Sequence, residues 1–186
     1  KPRPQIVHEP KTVEDIIRIV KHAKQSGDRI TVCSGGHSFS ANFVREGCVM
    51  INLKNLNEYS VNLEEETATA GPGVGGSDLM KALYKKDLFF PAGHCMGVCL
   101  GGYLLQGGYG WNGRKLGIAC QSVIGIDVIT AEGELVHANA ETNSDLFWAA
   151  RGSGPGFFGI VVKFYLKVYD LPKYRATIVH NFGVRH

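Results

Sequence analysis

Apolar residues recur at Val13, Ile16, Ile17, Val20 and Ala23, a spacing that predicts one buried face of a helix over residues 12–26. Thr12 is placed to cap that helix, Asp15 stands where a capping box needs its carboxylate, and Ser26-Gly27 marks its end. Short apolar or β-branched runs at 4–8, 29–33, 49–53 and 67–70 read as strands, so residues 1–70 predict a βαβββ lobe. Gly71-Pro-Gly-Val-Gly-Gly76 then breaks the chain. Ser77 is expected to cap a second helix, apolar at Leu79, Met80, Ala82 and Leu83 and polar at Lys81, Lys85 and Lys86. Further on come a strand at 123–130, a Glu132-Gly133 hairpin turn into 134–137, and a short helix at 145–150. From Gly159 to Val168 the chain alternates, with Ile160, Val162, Phe164, Leu166 and Val168 on one side and Lys163, Tyr165 and Lys167 on the other. Tyr174 to Phe182 reads as one more strand. The pattern as a whole predicts an α+β fold: a small lobe over 1–75, then a larger, mixed, mostly antiparallel lobe over 76–172.

Composition narrows the choice of function. Apolar residues at 44% and charged residues at 20% describe an ordinary globular chain, which excludes disorder as its main state. No apolar run approaches the ~20 residues of a membrane-spanning helix. Lys and Arg total 20 against 17 Asp and Glu, and the resulting +3 is scattered, which argues against a nucleic-acid partner. Five cysteines, Cys33, Cys48, Cys95, Cys99 and Cys120, fit neither a disulfide scaffold nor zinc-ligand spacing. The chain starts at Lys1 with no signal-peptide pattern and ends at His186 inside strand-like sequence, so it is expected to be a piece of a longer protein. Glycine is the outlier: 24 of 186 residues, about twice the usual ~7%. Such a content points to backbone that closely approaches something.

Two stretches carry that glycine. Ser34-Gly-Gly-His-Ser38 follows a strand directly, and successive N–H groups there can converge into an anion nest suited to a pyrophosphate. A tight strand-exit turn with a surface histidine accounts for the same five residues. Nine glycines fall within 93–117, each costing up to ~1 kcal/mol relative to alanine, a cost that backbone pressed against a planar or phosphate ligand offsets. The alternative is a glycine-rich connection packed under the sheet. The stretch has neither the strand lead-in of a dinucleotide fingerprint nor the terminal Gly-Lys-Ser/Thr of a Walker loop. Met50, Met80 and Met96 read as fillers and Trp111 and Trp148 as buried aromatics. His8, His22, His94, His137, His180 and His186 lack partner spacing, and Cys33, Cys48, Cys99 and Cys120 read as structural thiols.

In chain order the motifs are Ser-Gly-Gly-His-Ser at 34–38, Ala-Gly-Pro-Gly at 70–73, Pro-Ala-Gly-His-Cys at 91–95 and Gly-Gly-x-x-x-x-Gly-Gly-Tyr-Gly at 101–110. They continue with Gly-Arg-Lys-Leu-Gly-Ile at 113–118, Asp-Val-Ile-Thr-Ala-Glu-Gly at 127–133, Asp-Leu-Phe-Trp-Ala-Ala-Arg-Gly at 145–152 and Phe-Gly-Ile-Val at 158–161. This ordered set resembles the PCMH-type FAD-binding domain of the vanillyl-alcohol-oxidase superfamily and, within it, the berberine-bridge-enzyme-like oxidoreductases. The resemblance covers residues 4 to about 170. It implies FAD lying between the two lobes, bonded covalently to His37 and Cys95. It further implies a pyrophosphate held by Ser34, Gly35, Gly36 and Ser38, and backbone at Gly101, Gly102, Gly107, Gly108 and Gly110 passing the cofactor. Ile126, Gly159 and Val161 match positions at its adenine or ring edge, and Val98 the position that governs access of dioxygen to the flavin. The implied activity is an FAD-linked oxidase: a hydride leaves an alcohol, sugar or amine-type carbon, and dioxygen becomes hydrogen peroxide. The alternatives are a dehydrogenase with another acceptor, or a flavin-retaining binding protein. The implied partners are a small-molecule substrate, dioxygen and a substrate domain of the same protein, absent here and beginning at 173–186, which supplies the general base. The sequence departs from the family at Tyr103, where His is frequent, at Cys99 and Gln106, where Gly is usual, and at Gln121-Ser122, where Asp-Asn is common.

Overall fold

A computed structural model describes residues 2–173, so the strand expected at 174–182 lies outside the described residues. The first lobe is built from β1 (Ile6–His8), α1 (Val13–Ser26), β2 (Ile30–Cys33) and β3 (Val49–Asn52). Its three strands run parallel in the order β1-β3-β2. Helix α1 forms as its sequence dictates. Thr12 Oγ1 accepts from the Asp15 N–H at 3.1 Å and Asp15 Oδ2 accepts from the Thr12 N–H at 3.1 Å, which completes the capping box. Gly27 ends the helix in the left-handed region at φ +76°. Ile16, Val20 and Ala23 are the buried face.

The next strands, β4 (Tyr59–Asn62) and β5 (Thr67–Ala70), do not join that sheet. They pair in a five-stranded antiparallel sheet with β7 (Val123–Ile129), β8 (Leu135–Asn139) and β9 (Ile160–Lys167), in the order β4-β5-β9-β7-β8. The strand at 67–70, expected in the first lobe, therefore belongs to the second sheet. Its Ala68 and Ala70 fit close packing opposite Leu166 and Phe164 of β9. Between β5 and β7 lie α2 (Gly76–Tyr84), β6 (Leu88–Phe89), α3 (Leu100–Leu105) and α4 (Gly113–Leu116), while α5 (Ser144–Ala150) follows β8. The cap of α2 is Gly75, without a side-chain hydrogen bond, rather than Ser77. A short β10 (Tyr169–Asp170) pairs with β6.

The large sheet is covered on both faces. On one, Ala70, Val128, Phe164 and Leu166 pack with Leu79 and Leu83 of α2, Leu104 of α3 and Phe147 of α5. On the other, Ile129, Ile160 and Val162 pack with Ile16, Val20, Ile51 and Leu53 of the first lobe. The simple alternation expected along β9 is thus broken. The pairing with β7 shifts between Asp127–Lys163 and Val128–Val161, so Val162 is an extra residue. This irregularity turns Ile160 and Val162 toward the first lobe and leaves Phe164 and Leu166 facing the helices. No helix among the described residues is long and apolar enough to cross a membrane.

Candidate FAD site

Strand β2 ends at Cys33, and the chain enters the Ser34–Ser38 loop between the lobes. Gly36 takes φ +69°, a conformation open to glycine at little cost. Gly35 is needed for space, since a Cβ there would lie 2.9 Å from Cys99 Sγ. Among the described residues the backbone N–H groups of Gly35, His37, Ser38 and Phe39 donate to no protein acceptor. Four free donors on five consecutive residues are the raw material of an anion nest.

The loop opens onto a cleft of about 650 Å³. Ser34, Gly35, Gly36, His37 and Ser38 line it from the first lobe, and Val98, Gly102 and Gly108 from the second. A narrower extension of about 250 Å³ continues between the sheets, past Gly101, Gly159 and Val161. Ser34, Leu105, Gly154 and Pro155 line both spaces, so the two adjoin. Gly101 owes its glycine to contact: its N–H donates to Pro72 O at 3.0 Å, and a Cβ there would meet Pro72 Cβ at 2.9 Å. Gly102 is different. It faces the cleft with no protein atom within 4 Å of its would-be Cβ, a cradle that any side chain would begin to fill.

His37 and the Cys95 turn meet at this site. A Cβ on Gly97 would lie 3.2 Å from His37 Nε2, and the Val98 N–H donates to Cys95 O at 3.4 Å. Cys95 itself is exposed. Burial pushes the thiols of Cys33 and Cys99 up, which keeps them protonated, and both line the cleft. Tyr103 also lines it; burial pushes its phenol up to about 12, and its hydroxyl donates to Pro91 O at 2.8 Å.

Four expected site residues line neither space. Cys95 stands at the edge, on the turn against His37. Gly110 abuts the Pro91 carbonyl, where a Cβ would sit 2.8 Å from the oxygen. Gly107 holds the connection after α3, its carbonyl accepting from the Cys120 N–H at 2.8 Å. Ile126 is wholly buried in the core. Trp111 and Trp148, expected to be buried, are 66% and 76% exposed, and Met96 is exposed too. Sequence reasoning missed Arg45 and Gly154-Pro155. The second was readable in the run Arg-Gly-Ser-Gly-Pro-Gly at 151–156, whereas Arg45 stands in no glycine motif.

The donors present fit FAD. A run of free N–H groups suits its pyrophosphate, two adjoining spaces suit its extended form, and the exposed His37 lines the wider one, with the turn that carries Cys95 against it. Comparison with known proteins agrees. Residues 4–139 match the family model described as an FAD binding domain. The chain is 46% identical over 159 residues to the FAD-linked oxidoreductase nodO of Hypoxylon pulicicidum, covering 86% of this chain and 36% of that protein. It is 33% identical over 178 residues to berberine bridge enzyme-like 24 of Arabidopsis thaliana, covering 92% and 33%. The fold superposes on 6-hydroxy-D-nicotine oxidase of Arthrobacter nicotinovorans with a TM-score of 0.87 at 30% identity, over 92% of this chain and 38% of that one. Phl p 4 variants, one a glucose oxidase and one a glucose dehydrogenase, superpose at 0.86 with 34% and 33% identity, each over 92% and 36%. The chain thus spans about a third of the length of the relatives it matches. Ordered motifs, two-lobed fold and relatives agree: the chain belongs to the FAD-binding domain family of the berberine-bridge-enzyme-like, FAD-linked oxidoreductases.

Proposed function

We propose that the chain is the flavin-holding part of an FAD-linked oxidase acting on a small molecule. The carrying observation is that the Ser34–Ser38 loop, with N–H groups that donate to no protein acceptor among the described residues, lines one cleft with Val98, Gly102 and Gly108 of the second lobe. In this reading the loop holds the pyrophosphate, Gly159 and Val161 flank the adenosine end, and His37 and Cys95 tether the ring. Bound there, the flavin supplies hydride acceptance from a carbon bearing oxygen or nitrogen and passage of two electrons to dioxygen. The chain's own share is to orient the ring and to control what reaches it. The substrate domain and the general base come from sequence outside this chain.

Val98 is the residue assigned to oxygen access. It lines the cleft three residues beyond Cys95, and its small β-branched side chain leaves room for dioxygen. The two Phl p 4 variants differ by one isoleucine-to-valine replacement, and the one with valine is the oxidase. That supports reading a small side chain as oxygen-permissive. A dehydrogenase with another acceptor is the second reading, favoured by the same pair if oxygen fails to reach the ring.

Attachment is tested on full-length protein by denaturation and acid precipitation. His37→Ala is expected to leave flavin attached through Cys95, Cys95→Ala through His37, and the double variant is expected to release all of it. Free extraction from wild type at normal occupancy overturns the tether. Peroxide formed in step with flavin reduction separates the oxidase from the dehydrogenase.

A further inference from the structure

The segment Pro91-Ala-Gly-His-Cys95 is held from two sides. On the inner side Tyr103 of α3 donates its hydroxyl to Pro91 O at 2.8 Å. The same ring packs against Gly93, where a Cβ would meet it at 3.2 Å, and against Gly108, where one would meet it at 2.6 Å. On the outer side Trp111 stacks on His94, ring centroids 4.0 Å apart and planes tilted by 42°. Gly110, next to Trp111, lets that stretch of backbone close onto the Pro91 carbonyl. Pro91 and Ala92 are buried, while His94 and Cys95 are exposed. The segment thus leaves the core at Gly93, and the His94–Trp111 stack is its last fixed point before the thiol.

Tyr103 also packs against the core, but core stability does not account for the outer contact. Trp111 stays 66% exposed, so the apolar area it buries is small, and ordering His94 costs side-chain entropy. The stack restricts the residue adjacent to Cys95. The phenol at about 12 remains a protonated donor at every pH where a flavoenzyme works.

We infer that Tyr103 and Trp111 are positioning residues that clamp the Pro91–Cys95 segment from both sides and present the Cys95 thiol to the flavin ring. The inference rests on the tethering role proposed for Cys95. In that linkage a bond forms from Cys95 Sγ to a ring carbon. The thiol proton and the hydrogen on that carbon leave, and two electrons and two protons convert dioxygen to hydrogen peroxide. Bond formation needs the sulfur held at attack distance, so the yield depends on how often the loop presents it.

The test uses full-length protein in a His37→Ala background, where only the Cys95 tether remains. Tyr103→Phe and Trp111→Ala are expected to lower the covalently linked fraction about fivefold, with total bound flavin changed less than about twofold. Trp111→Phe keeps a stacking ring and is expected to restore the linked fraction. Amide hydrogen exchange over residues 91–98 in flavin-free protein is expected to quicken about tenfold in both disruptive variants. Unchanged exchange overturns the clamp. Faster exchange with an unchanged linked fraction overturns its role in positioning. If the His37→Ala parent binds FAD with no covalent bond at all, the Cys95 tether has failed and the positioning inference goes with it, whatever the exchange shows.

Discussion

Individual side chains divide the labour around the cleft by exposure. Cys33 and Cys99 sit against the loop with thiols pushed up by burial, whereas Cys95 is exposed on the turn whose Gly97 lies against His37. Only the thiolate is a good nucleophile, so burial disfavours reaction at the first two, which is why the proposed tether is placed on the exposed Cys95. For Val98, which lines the cleft, the proposed control of oxygen access turns on about one methylene. A leucine reaches further into the cleft than the valine does, and close-packed interiors register that volume. Stopped-flow reoxidation of the reduced full-length enzyme in air-saturated buffer checks this. Val98→Leu is expected to reoxidise more than about tenfold more slowly, with reduction by substrate changed little. Equal reoxidation rates remove Val98 as the gate, and slow reoxidation of the wild type points to the dehydrogenase. The proposed roles of His37 and Cys95 come only from the order of motifs. Nothing about a lone histidine or a lone cysteine distinguishes it, and the contact between their loops is a product of the fold.

At the level of elements, the local signals of α1 match the structure, while the Ser77 cap of α2 and the pairing of β5 do not. Helix α1 carried its own period and its own capping box, and both are present. Strand β5 carried no address. Thr67-Ala-Thr-Ala70 alternates equally well beside β3 or beside β9, and only the small alanines against Phe164 and Leu166 show why β9 takes it. The extra residue in β9 was hidden for a similar reason. A run apolar at Ile160, Val161 and Val162 permits two phases, and the choice is made by β7. Helix α3 gives a prediction with opposite signs. Gly102 is helical, with open space where a Cβ would project into the cleft. Gly102→Ala is expected to raise the Tm of flavin-free protein, since alanine is up to ~1 kcal/mol better than glycine in a helix. The same methyl is expected to weaken FAD binding in a flavin titration. Gly113→Ala in α4 is the control: it too projects into open space, lies outside the cleft lining, and should leave FAD binding unchanged. Equal effects of the two on binding would remove Gly102 from the flavin surface.

The whole molecule joins a self-sufficient core to an uncovered rim. Ile16, Val20, Ile51 and Leu53 of the first lobe pack on Ile129, Ile160 and Val162 of the large sheet, so the two lobes share a buried apolar interface. Around the cleft the picture reverses. Phe39 and Tyr109 line its mouth with their rings in solvent, and Met96 and Trp111 stand exposed on neighbouring turns. An apolar rim of this kind around a ligand cleft is a surface made to be covered. The chain spans about a third of the length of its relatives, and in the proposed reading the substrate domain is the cover. Chain 1–186 alone is therefore expected to unfold in one cooperative thermal transition, because the lobe interface is intact. It is also expected to retain FAD poorly, because water reaches the ring from the open side, and to self-associate through the rim. Calorimetry, the flavin-to-protein ratio after gel filtration, and light scattering across a concentration series measure the three properties separately. Phe39→Ser with Trp111→Ser is expected to reduce the association while leaving the transition in place. A monomer with stoichiometric flavin and full turnover would show that the rim needs no cover and that the chain is a complete enzyme.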